Sequence, residues 1–463
     1  MPSLTDLKTP GVYVQELPSF PPSVVQVATA VPAFIGYTET AADSVGNSLN
    51  LVPTRITSLL EYQGYFGGAQ DEEKITVAVT DADAGISAVA TLAAADKSKY
   101  CLYYAMQLFF ANGGGPCYVV SVGTYTASPG TIVKGELQAG VTAVAAYDEP
   151  TLLVVPEAPV LGGTNYYDVM NTAIDQCLNL QDRFTIMDVI YDAAKTTDEN
   201  MTQFRTDFAR TDALNYAAAY YPYLNTSLTL SYEESQTQVS VNGGAQVALN
   251  DATLKKAYYY AALDAISKLV IILGPSAAMA GVYASVDASR GVWKAPANVG
   301  LKAVTGTTDF ITDDENGRMN IDPSTGKSVN AIRAFTGKGI LVWGARTLDG
   351  NSNDFRYVPV RRLFITTEES VRKAASQFVF EPNDANTWVR VRAMIENYLT
   401  NLWRDGALAG SKPEQAFYVK VGLGSTMTTD DVLNGRMIVE IGMAPARPAE
   451  FIVLRFVQTV QQS

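Results

Sequence analysis

The sequence predicts a multidomain chain that combines the α/β and α+β fold classes. Three observations lead to this prediction: a strand, helix, strand pattern in the middle of the chain, two amphipathic helix patterns in the last third, and short strand-forming runs near both ends. The 463 residues are enough for two or three domains of about 150 residues each. We therefore expect a parallel sheet covered by helices and a separate domain of helices and strands.

The composition excludes several classes of protein. The net charge of −13 opposes binding to nucleic acids, which depends on cationic side chains that neutralise phosphates. The complete absence of histidine excludes Ser-His-Asp and Cys-His catalysis and histidine metal sites. Cys101, Cys117 and Cys177 are an odd set without paired metal-ligand spacing, so we interpret them as buried thiols.

The sequence shows neither a membrane span nor a secretion signal. The longest aliphatic run, residues 269–273, is far shorter than the roughly 18 residues that a transmembrane helix needs. No basic and hydrophobic leader pattern follows Met1. We expect the chain to be made and assembled in a cytoplasm without a signal peptide, and not to insert directly into a membrane.

The first 20 residues are predicted to form an extended arm. A turn sequence, TPG, precedes three residues that favour a strand, and prolines then oppose a helix. The three strand residues are Val12, Tyr13 and Val14. A strand this short cannot bury itself, so it needs the edge of another sheet. The alternative is a frayed tail.

The region before residue 100 is predicted to contain one core strand, one short helix and one insertion. The chain becomes solidly apolar at residues 33–35, as a strand entering a core does. Thr57 or Ser58 provides a cap for the helix that follows. Residues 70–98 are alanine-rich and acidic with few large apolar side chains, which indicates a surface insertion.

A glycine-rich segment follows a dense apolar helix pattern. Residues 100–110 favour a buried helix, NGGGP occupies residues 112–116, and a strand is predicted from Cys117. A phosphate cradle lies between a strand and the helix that follows it, whereas the order here is helix, glycines and strand. The glycines are therefore interpreted as a helix stop and a turn.

Residues 152–221 have the pattern of an α/β domain. Buried strands are predicted at residues 152–155 and 184–189, and a helical apolar stripe around Val169 lies between them. Strand, helix and strand at this separation form a βαβ unit, which predicts a parallel sheet with a right-handed crossover. A further helix leads to a strand at residues 216–221.

A second polar excursion is predicted at residues 225–251, with a hairpin around its Asn-Gly pair. A helix at residues 252–268 and a strand at residues 269–273 then return to the α/β core. From Met279 onward, apolar side chains recur at i, i+3, i+4 and i+7, which predicts a buried helix. Gly281 lies where the backbone of another element could approach closely.

Two short motifs partly resemble ligand sites; nucleotide binding is disfavoured at the first, and at the second, Asp313 to Glu315 with Asp322, an acidic surface turn is preferred to a cation site. The sequence GKS at residues 326–328 resembles the end of a nucleotide-binding P-loop, but Ile321 occupies the position where that motif requires glycine. The acidic run at residues 313–315 does not have the spacing of a calcium-binding EF-hand. We expect no cofactor, no metal ion and no catalytic residue.

The last third of the chain is predicted to be rich in helices. One helix covers residues 368–379, and a second is capped by Asn386 or Thr387. Strands are predicted at residues 417–421 and 437–441. Four cations on the two helices are candidates for contact with a neighbouring molecule, with ordinary solvated side chains as the equal alternative: Arg372, Lys373, Arg390 and Arg392.

A final strand near the chain end is apolar on both faces. It comprises Ile452, Val453, Leu454, Arg455 and Phe456. This strand either completes the sheet of its own chain or adds to a sheet edge on a neighbouring copy, where main-chain hydrogen bonds would hold it. Donation that does not close into a ring generates a helical polymer.

The sequence PSAAMAGVYASVDASRGVWKAPAN, at residues 275–298, resembles the signature of contractile tail sheath proteins, which occur in phage tails and phage-tail-like contractile injection systems. Three further matches follow the order of that family: TPGVYVQELPS near the start, NAIRAFTGKGILVWGARTL at residues 330–348, and PAEFIVLRFVQTV at residues 448–460. The resemblance therefore spans the chain.

The resemblance implies a division into domains. Residues 1–20 would be an N-terminal arm, and residues 21–65 would pack in an inner core with the last third. Residues 66–350 would form an outward-facing α/β domain of subtilisin-like fold, without a catalytic triad. Residues 351–447 would form the C-terminal assembly domain, and residues 448–463 a C-terminal arm. Both arms would exchange strands between subunits.

The resemblance also implies a mechanical function. The chain would polymerise as a helical stack of hexameric rings around an inner tube protein and contract to drive that tube through a target envelope. Its partners would be further copies, the tube, baseplate and terminal cap proteins, and paralogous sheath subunits, within a phage tail or a released extracellular particle assembled in the bacterial cytoplasm. The alternatives are a non-contractile structural tail component and an α/β hydrolase, which the lack of histidine disfavours.

Overall fold

The computed structural model describes residues 23–454. Their strands, in chain order, are β1 Pro32–Thr38, β2 Thr54–Ile56, β3 Thr76–Ala82, β4 Gly85–Thr91, β5 Cys117–Thr124, β6 Leu152–Val154, β7 Phe184–Asp188, β8 Ala217–Tyr221, β9 Leu224–Thr226, β10 Gln238–Val241, β11 Val247–Ala248, β12 Ile272–Leu273, β13 Val299–Gly300, β14 Val304–Thr307, β15 Val329–Phe335, β16 Gly339–Val342, β17 Phe417–Val421 and β18 Val439–Met443.

The helices in the same residues are α1 Leu59–Phe66, α2 Leu102–Ala111, α3 Lys134–Val144, α4 Gly163–Leu180, α5 Thr197–Asp207, α6 Lys256–Ile266, α7 Ser276–Arg290, α8 Asp313–Asn320, α9 Val358–Ala375, α10 Ala385–Arg404, α11 Pro413–Ala416 and α12 Thr429–Leu433. No helix between residues 23 and 454 is long and apolar enough to cross a membrane.

The chain divides into two compact units. The larger, which we call the α/β unit, contains residues 26–369 and 445–454. The smaller, which we call the helical unit, contains residues 370–444 together with residues 23–25. This division places residues 351–369 in the α/β unit, whereas the sequence analysis expected the C-terminal domain to begin at residue 351.

A nine-stranded sheet in the order β13-β16-β15-β8-β7-β6-β1-β5-β2 organises the α/β unit. Its six central strands, from β15 to β5, pair in parallel, and antiparallel strands extend the sheet at both edges. The predicted βαβ unit is confirmed, because β6 and β7 are parallel neighbours joined by α4. Burial of the central strands on both faces explains their continuous apolar runs.

Strand β1 lies inside this sheet, between β5 and β6. All seven of its residues are buried. The sequence analysis expected residues 21–65 to pack with the last third of the chain, and the described part of that region instead contributes β1, β2 and α1 to the α/β unit. A solidly apolar strand is equally consistent with either core, so only the long-range pairing distinguishes them.

The two polar excursions join into one small sheet. Its order is β11-β10-β3-β4, and Val239 of β10 pairs in parallel with Val77 of β3, from the other excursion. Helix α6 covers this sheet, and Tyr258 packs into a core with both valines. The hairpin predicted at the Asn-Gly pair is confirmed as β10 and β11. The excursions therefore form a layer with its own core.

The strand predicted at residues 269–273 is shorter than expected and lies in a separate three-stranded sheet. Only Ile272 and Leu273 form a strand, which pairs with β9 in a three-stranded sheet of order β12-β9-β14. Ile272 is exposed, whereas Leu273 is buried. An apolar run of five residues predicts burial, but it does not specify the sheet.

The buried helix predicted from Met279 is confirmed as α7. Helix α2 crosses it at Gly281, where an added Cβ atom would lie 2.5 Å from the carbonyl oxygen of Phe109. The predicted close approach therefore occurs. The glycine run after α2 is a turn into β5, as expected.

Several helices differ in position or cap from the sequence analysis. Helix α9 begins at Val358, ten residues before the predicted start of the first helix in the last third. In α10 the cap is Asp384, whose side chain accepts a hydrogen bond from the amide of Thr387 at 3.0 Å. The acidic run at residues 313–315 is the first turn of α8, where negative charge favours the helix dipole.

Candidate assembly surfaces

The strand predicted at the C-terminal end is exposed as far as it is described. Ile452, Val453 and Leu454 have exposed fractions of 78, 77 and 73% and form no strand. Arg455 and Phe456 lie outside the described residues, as do Val12, Tyr13 and Val14 of the predicted N-terminal strand. Strand exchange through these residues therefore stays a prediction.

The chain just before this exposed segment is held firmly by Glu450. One carboxylate oxygen accepts hydrogen bonds from Arg346 Nε at 2.9 Å and Asn320 Nδ2 at 2.6 Å. The other accepts from Arg346 Nη2 at 2.5 Å and the Tyr357 hydroxyl at 3.1 Å. The sequence analysis missed this contact. A signal was present, since Glu450 is the only acidic residue after Glu440.

The ionisation of Glu450 follows from these contacts. Burial acts to raise its pKa, but hydrogen bonds from Arg346 and Asn320 and the Arg346 charge outweigh burial, and the net pKa is lowered. The Arg346 side chain is only 4% exposed, so its charge is poorly screened by water. The carboxylate is therefore ionised at neutral pH.

The helical unit contains a two-stranded sheet. Strands β17 and β18 pair in antiparallel register from Phe417↔Met443 to Val421↔Val439, and within residues 23–454 neither has a second strand neighbour. Each strand therefore presents one outer edge of backbone donors and acceptors. A two-stranded sheet is marginal alone, so further strands would stabilise it.

The four candidate cations differ in their surroundings. Arg372 and Lys373 are exposed on α9. Arg390 pairs with Glu381 at 3.0 Å and lies over the ring of Phe378. Arg392 donates a hydrogen bond to the carbonyl of Val421 at 2.7 Å. Contact of any of the four with a partner stays a prediction.

An exposed apolar group near these cations was not identified in the sequence. Phe380 is fully exposed with a φ of 71°, and Val379 and Val389 are 61 and 62% exposed. Positive φ is rare for a bulky residue. The signal available was the run FVF at residues 378–380, between two amphipathic helices; the predicted first helix included only its first two residues.

Two buried carboxylates lie at the carboxyl ends of the central parallel strands, where α/β proteins commonly bind ligands. Asp188 accepts hydrogen bonds from the amide and the hydroxyl of Ser276, at the start of α7. Glu157 accepts from the amides of Tyr37, Cys101 and Leu102, at the end of β1 and the start of α2. Both carboxylates therefore accept hydrogen bonds from backbone amides at this edge of the sheet and occupy it.

Burial has the largest effect on the pKa of both Glu157 and Asp188. It raises the pKa of Glu157 to about 8 and the pKa of Asp188 to about 7, against hydrogen bonds that favour the charged forms. Ser276 faces Asp188 directly, and the chain contains no histidine to act as the base that activates a serine. In residues 23–454 no cluster of metal-ligating side chains occurs. All three cysteines are free thiols, and Cys117 and Cys177 are buried.

The sequence of the last part of the chain matches a family model. Residues 351–459 match the phage tail sheath C-terminal domain. The chain is also similar to the tail sheath protein of Vibrio phage KVP40, at 26% identity over 182 residues, which are 39% of this chain and 26% of that protein. A putative prophage major tail sheath protein of Pseudomonas aeruginosa is 27% identical over 29% of this chain and 34% of its own length. The matches thus span only a quarter to a third of these curated relatives.

Similarity to solved structures extends over the whole chain. The sheath of an extracellular contractile injection system, PVC, in its contracted state is 33% identical, with a TM-score of 0.66 over 98% of this chain and 99% of that chain. The contracted helical sheath of the anti-feeding prophage is 32% identical, with a TM-score of 0.64 over 98% of this chain and all of that chain. Because identity above 30% extends over the full length of these sheath subunits, the chain belongs to the family of contractile sheath proteins and has a structural role in such a sheath.

Proposed function

We propose that this chain polymerises as stacked hexameric rings around an inner tube and contracts to drive the tube through a target envelope. Subunits would assemble in an extended, metastable helical state. A trigger from the baseplate would let them rotate and repack into a shorter, wider state of lower free energy. Inter-subunit contacts would store the energy, without nucleotide hydrolysis. Full-length similarity to two contracted sheaths supports this proposal.

The observation that carries the proposal is the exposed apolar segment after Glu450. Four consecutive apolar residues, from Phe451 to Leu454, are 69 to 78% exposed. Exposed apolar runs of this kind mark contact surfaces. We propose that Ile452, Val453, Leu454, Arg455 and Phe456, together with Val12, Tyr13 and Val14 of another copy, add to the open edges of the β17 and β18 pair in a neighbouring subunit.

We propose the remaining roles from the same family resemblance. Residues 66–350 would face outward, with a subtilisin-like fold that the parallel sheet supports. The helical unit, residues 370–444, would face the tube, and Arg372, Lys373, Arg390 and Arg392 would contact the tube or a neighbour. Baseplate and terminal cap proteins and paralogous sheath subunits would be further partners. Assembly would occur in the bacterial cytoplasm, for a phage tail or a released particle, and the chain would not be an enzyme.

Electron microscopy of the recombinant chain tests this proposal. We expect striated helical tubes from the wild-type chain and none from a chain that ends at Glu450. Ile452→Lys with Leu454→Lys should also abolish the tubes, because two charges would be placed in a shared sheet. Leu60→Lys is the matched control, since Leu60 is as exposed as Ile452, at 78%, and lies on α1. A monodisperse wild-type monomer at high concentration, or tubes formed without residues 451–463, would contradict the proposal.

A further inference from the structure

Within residues 445–454, Glu450 is the last residue that forms a hydrogen bond with the rest of the chain. Its carboxylate receives four hydrogen bonds, two of them from Arg346, and its side chain is 21% exposed. The next residue, Phe451, is already 69% exposed. The change from a hydrogen-bonded, largely buried side chain to an exposed one therefore takes place over a single residue.

Contacts within the α/β unit hold the Arg346 side chain that binds Glu450. Arg346 Nη1 donates to the carbonyls of Asn320 and Gly350, at 3.3 and 3.2 Å, and the Arg346 guanidinium lies over the ring of Tyr357. The backbone amide of Arg346 donates to Asn330 Oδ1 at 2.7 Å. These contacts orient the guanidinium, so that binding a carboxylate needs little further ordering. Glu450 is the carboxylate that forms an ion pair with it.

We propose that Glu450 is a positioning residue that fixes the point from which the C-terminal strand leaves the α/β unit toward a neighbouring subunit. This inference rests on the proposed strand exchange. A strand that starts from a fixed origin searches a smaller volume than one on a loose tether, so its effective concentration at the neighbour's sheet edge is higher. The same ion pair would carry the pull of the exchanged strand when subunits move.

The alternative is an ion pair that only stabilises the fold. That role would make Glu450 variants less stable without changing the position of the segment or the yield of tubes at temperatures where the chain stays folded. Positioning requires that the segment becomes mobile in an otherwise folded chain. The two roles therefore differ in a measurement made on the unassembled chain.

A nitroxide spin label at Ala449→Cys measures this mobility. In the unassembled full-length chain we expect an immobilised spectrum, and Glu450→Ala or Glu450→Gln should cause loss of the immobilised component. Glu149→Gln is the matched control, because Glu149 also binds an arginine and a tyrosine hydroxyl, Arg55 at 3.1 Å and Tyr118 at 2.6 Å. The control should leave the spectrum unchanged.

Tube assembly provides the second readout. Both Glu450 variants should require a higher protein concentration than the wild-type chain to form tubes, and Glu149→Gln should not. If removal of residues 451–463 abolishes tubes but Glu450→Ala assembles like the wild-type chain, the positioning role is overturned and the strand exchange stands. An immobilised label in Glu450→Ala overturns the inference on its own. If the wild-type chain forms no tubes, the proposed function fails, whatever the label shows.

Discussion

Ser276 donates two hydrogen bonds to the carboxylate of Asp188, one from its amide nitrogen and one from its hydroxyl, both at 2.7 Å. Asp188 is the last residue of β7, and Ser276 is the first residue of α7. The contact joins a central strand to the start of the helix that carries the sheath-like sequence. A negative charge at this helix end is also favoured by the helix dipole.

Removal of the hydroxyl tests this contact. Ser276→Ala leaves the buried Asp188 carboxylate with one donor fewer, and we expect the free energy of unfolding to fall by about 1–3 kcal/mol. Ser289→Ala is the control in the same helix, because the Ser289 hydroxyl is exposed and donates only to the carbonyl of Ser285. Its effect should be below about 0.5 kcal/mol. Chemical denaturation measures both values, and equal losses would contradict the assigned contact.

The buried carboxylates make stability depend on pH. The folded-state pKa values of Glu157 and Asp188 are raised to about 8 and about 7, whereas the unfolded values are about 4. The folded chain thus binds these protons more tightly than the unfolded chain. The contribution of these two groups to the free energy of unfolding is complete below pH of about 4. It is lost as pH rises through about 7 to 8, by at most about 1.4 kcal/mol per pH unit for each group.

Glu157→Gln removes the contribution of Glu157 to the pH dependence of stability, because glutamine does not ionise. The contributions of the other ionisable groups remain. We expect the loss of stability between pH 5 and pH 8 to become smaller in this variant. Asp264→Asn, on the exposed surface of α6, should keep the wild-type pH dependence. Denaturation curves collected across this range provide the measurement. A slope in Glu157→Gln as steep as in the wild-type chain would show that Glu157 keeps an ordinary pKa.

Two helical glycines should respond in opposite directions to alanine. At Gly281 the added Cβ atom would lie 2.5 Å from the Phe109 carbonyl oxygen, so Gly281→Ala must push α2 and α7 apart, at a cost of about 1–3 kcal/mol. Gly64 in α1 has no atom within 4 Å of such a Cβ atom. Gly64→Ala should therefore stabilise the chain by about 0.5–1 kcal/mol. Thermal unfolding distinguishes these outcomes, and a stabilised Gly281→Ala would contradict the close crossing.

A buried ion pair anchors α9. Arg362 binds Asp287 of α7 through two hydrogen bonds, at 3.0 and 2.5 Å, and both side chains are at most 5% exposed. Arg362→Ala leaves the Asp287 charge buried without this partner, which should cost about 3–5 kcal/mol. Replacing both residues, with Arg362→Met and Asp287→Leu, should cost clearly less.

The exposed pair of Lys268 and Asp264 is the control for this prediction, and Lys268→Ala should change the free energy of unfolding by at most about 1 kcal/mol. Urea denaturation of the four proteins gives the comparison. If the double replacement is as damaging as Arg362→Ala, the packing of the arginine stem, and not the orphaned charge, is the source of the loss.

Local patterns were sufficient for several parts of the structure. The helical stripe that begins at Met279, the βαβ unit around α4 and the hairpin of β10 and β11 were predicted from the spacing of neighbouring residues. Each of these depends on interactions within a short segment of chain. The sheath family was also recognisable from the sequence, because four motifs occurred in order along the chain.

By itself, the sequence determined the βαβ unit around α4, the buried helix α7, the hairpin of β10 and β11, and the family to which the chain belongs. Only the tertiary structure decided the pairing of β10 with β3, the place of β1 between β5 and β6, and the contact between Glu450 and Arg346. The physical reason is sequence separation. The periodicity of a sequence indicates whether a side chain is buried, but it does not identify the distant residue that packs against that side chain.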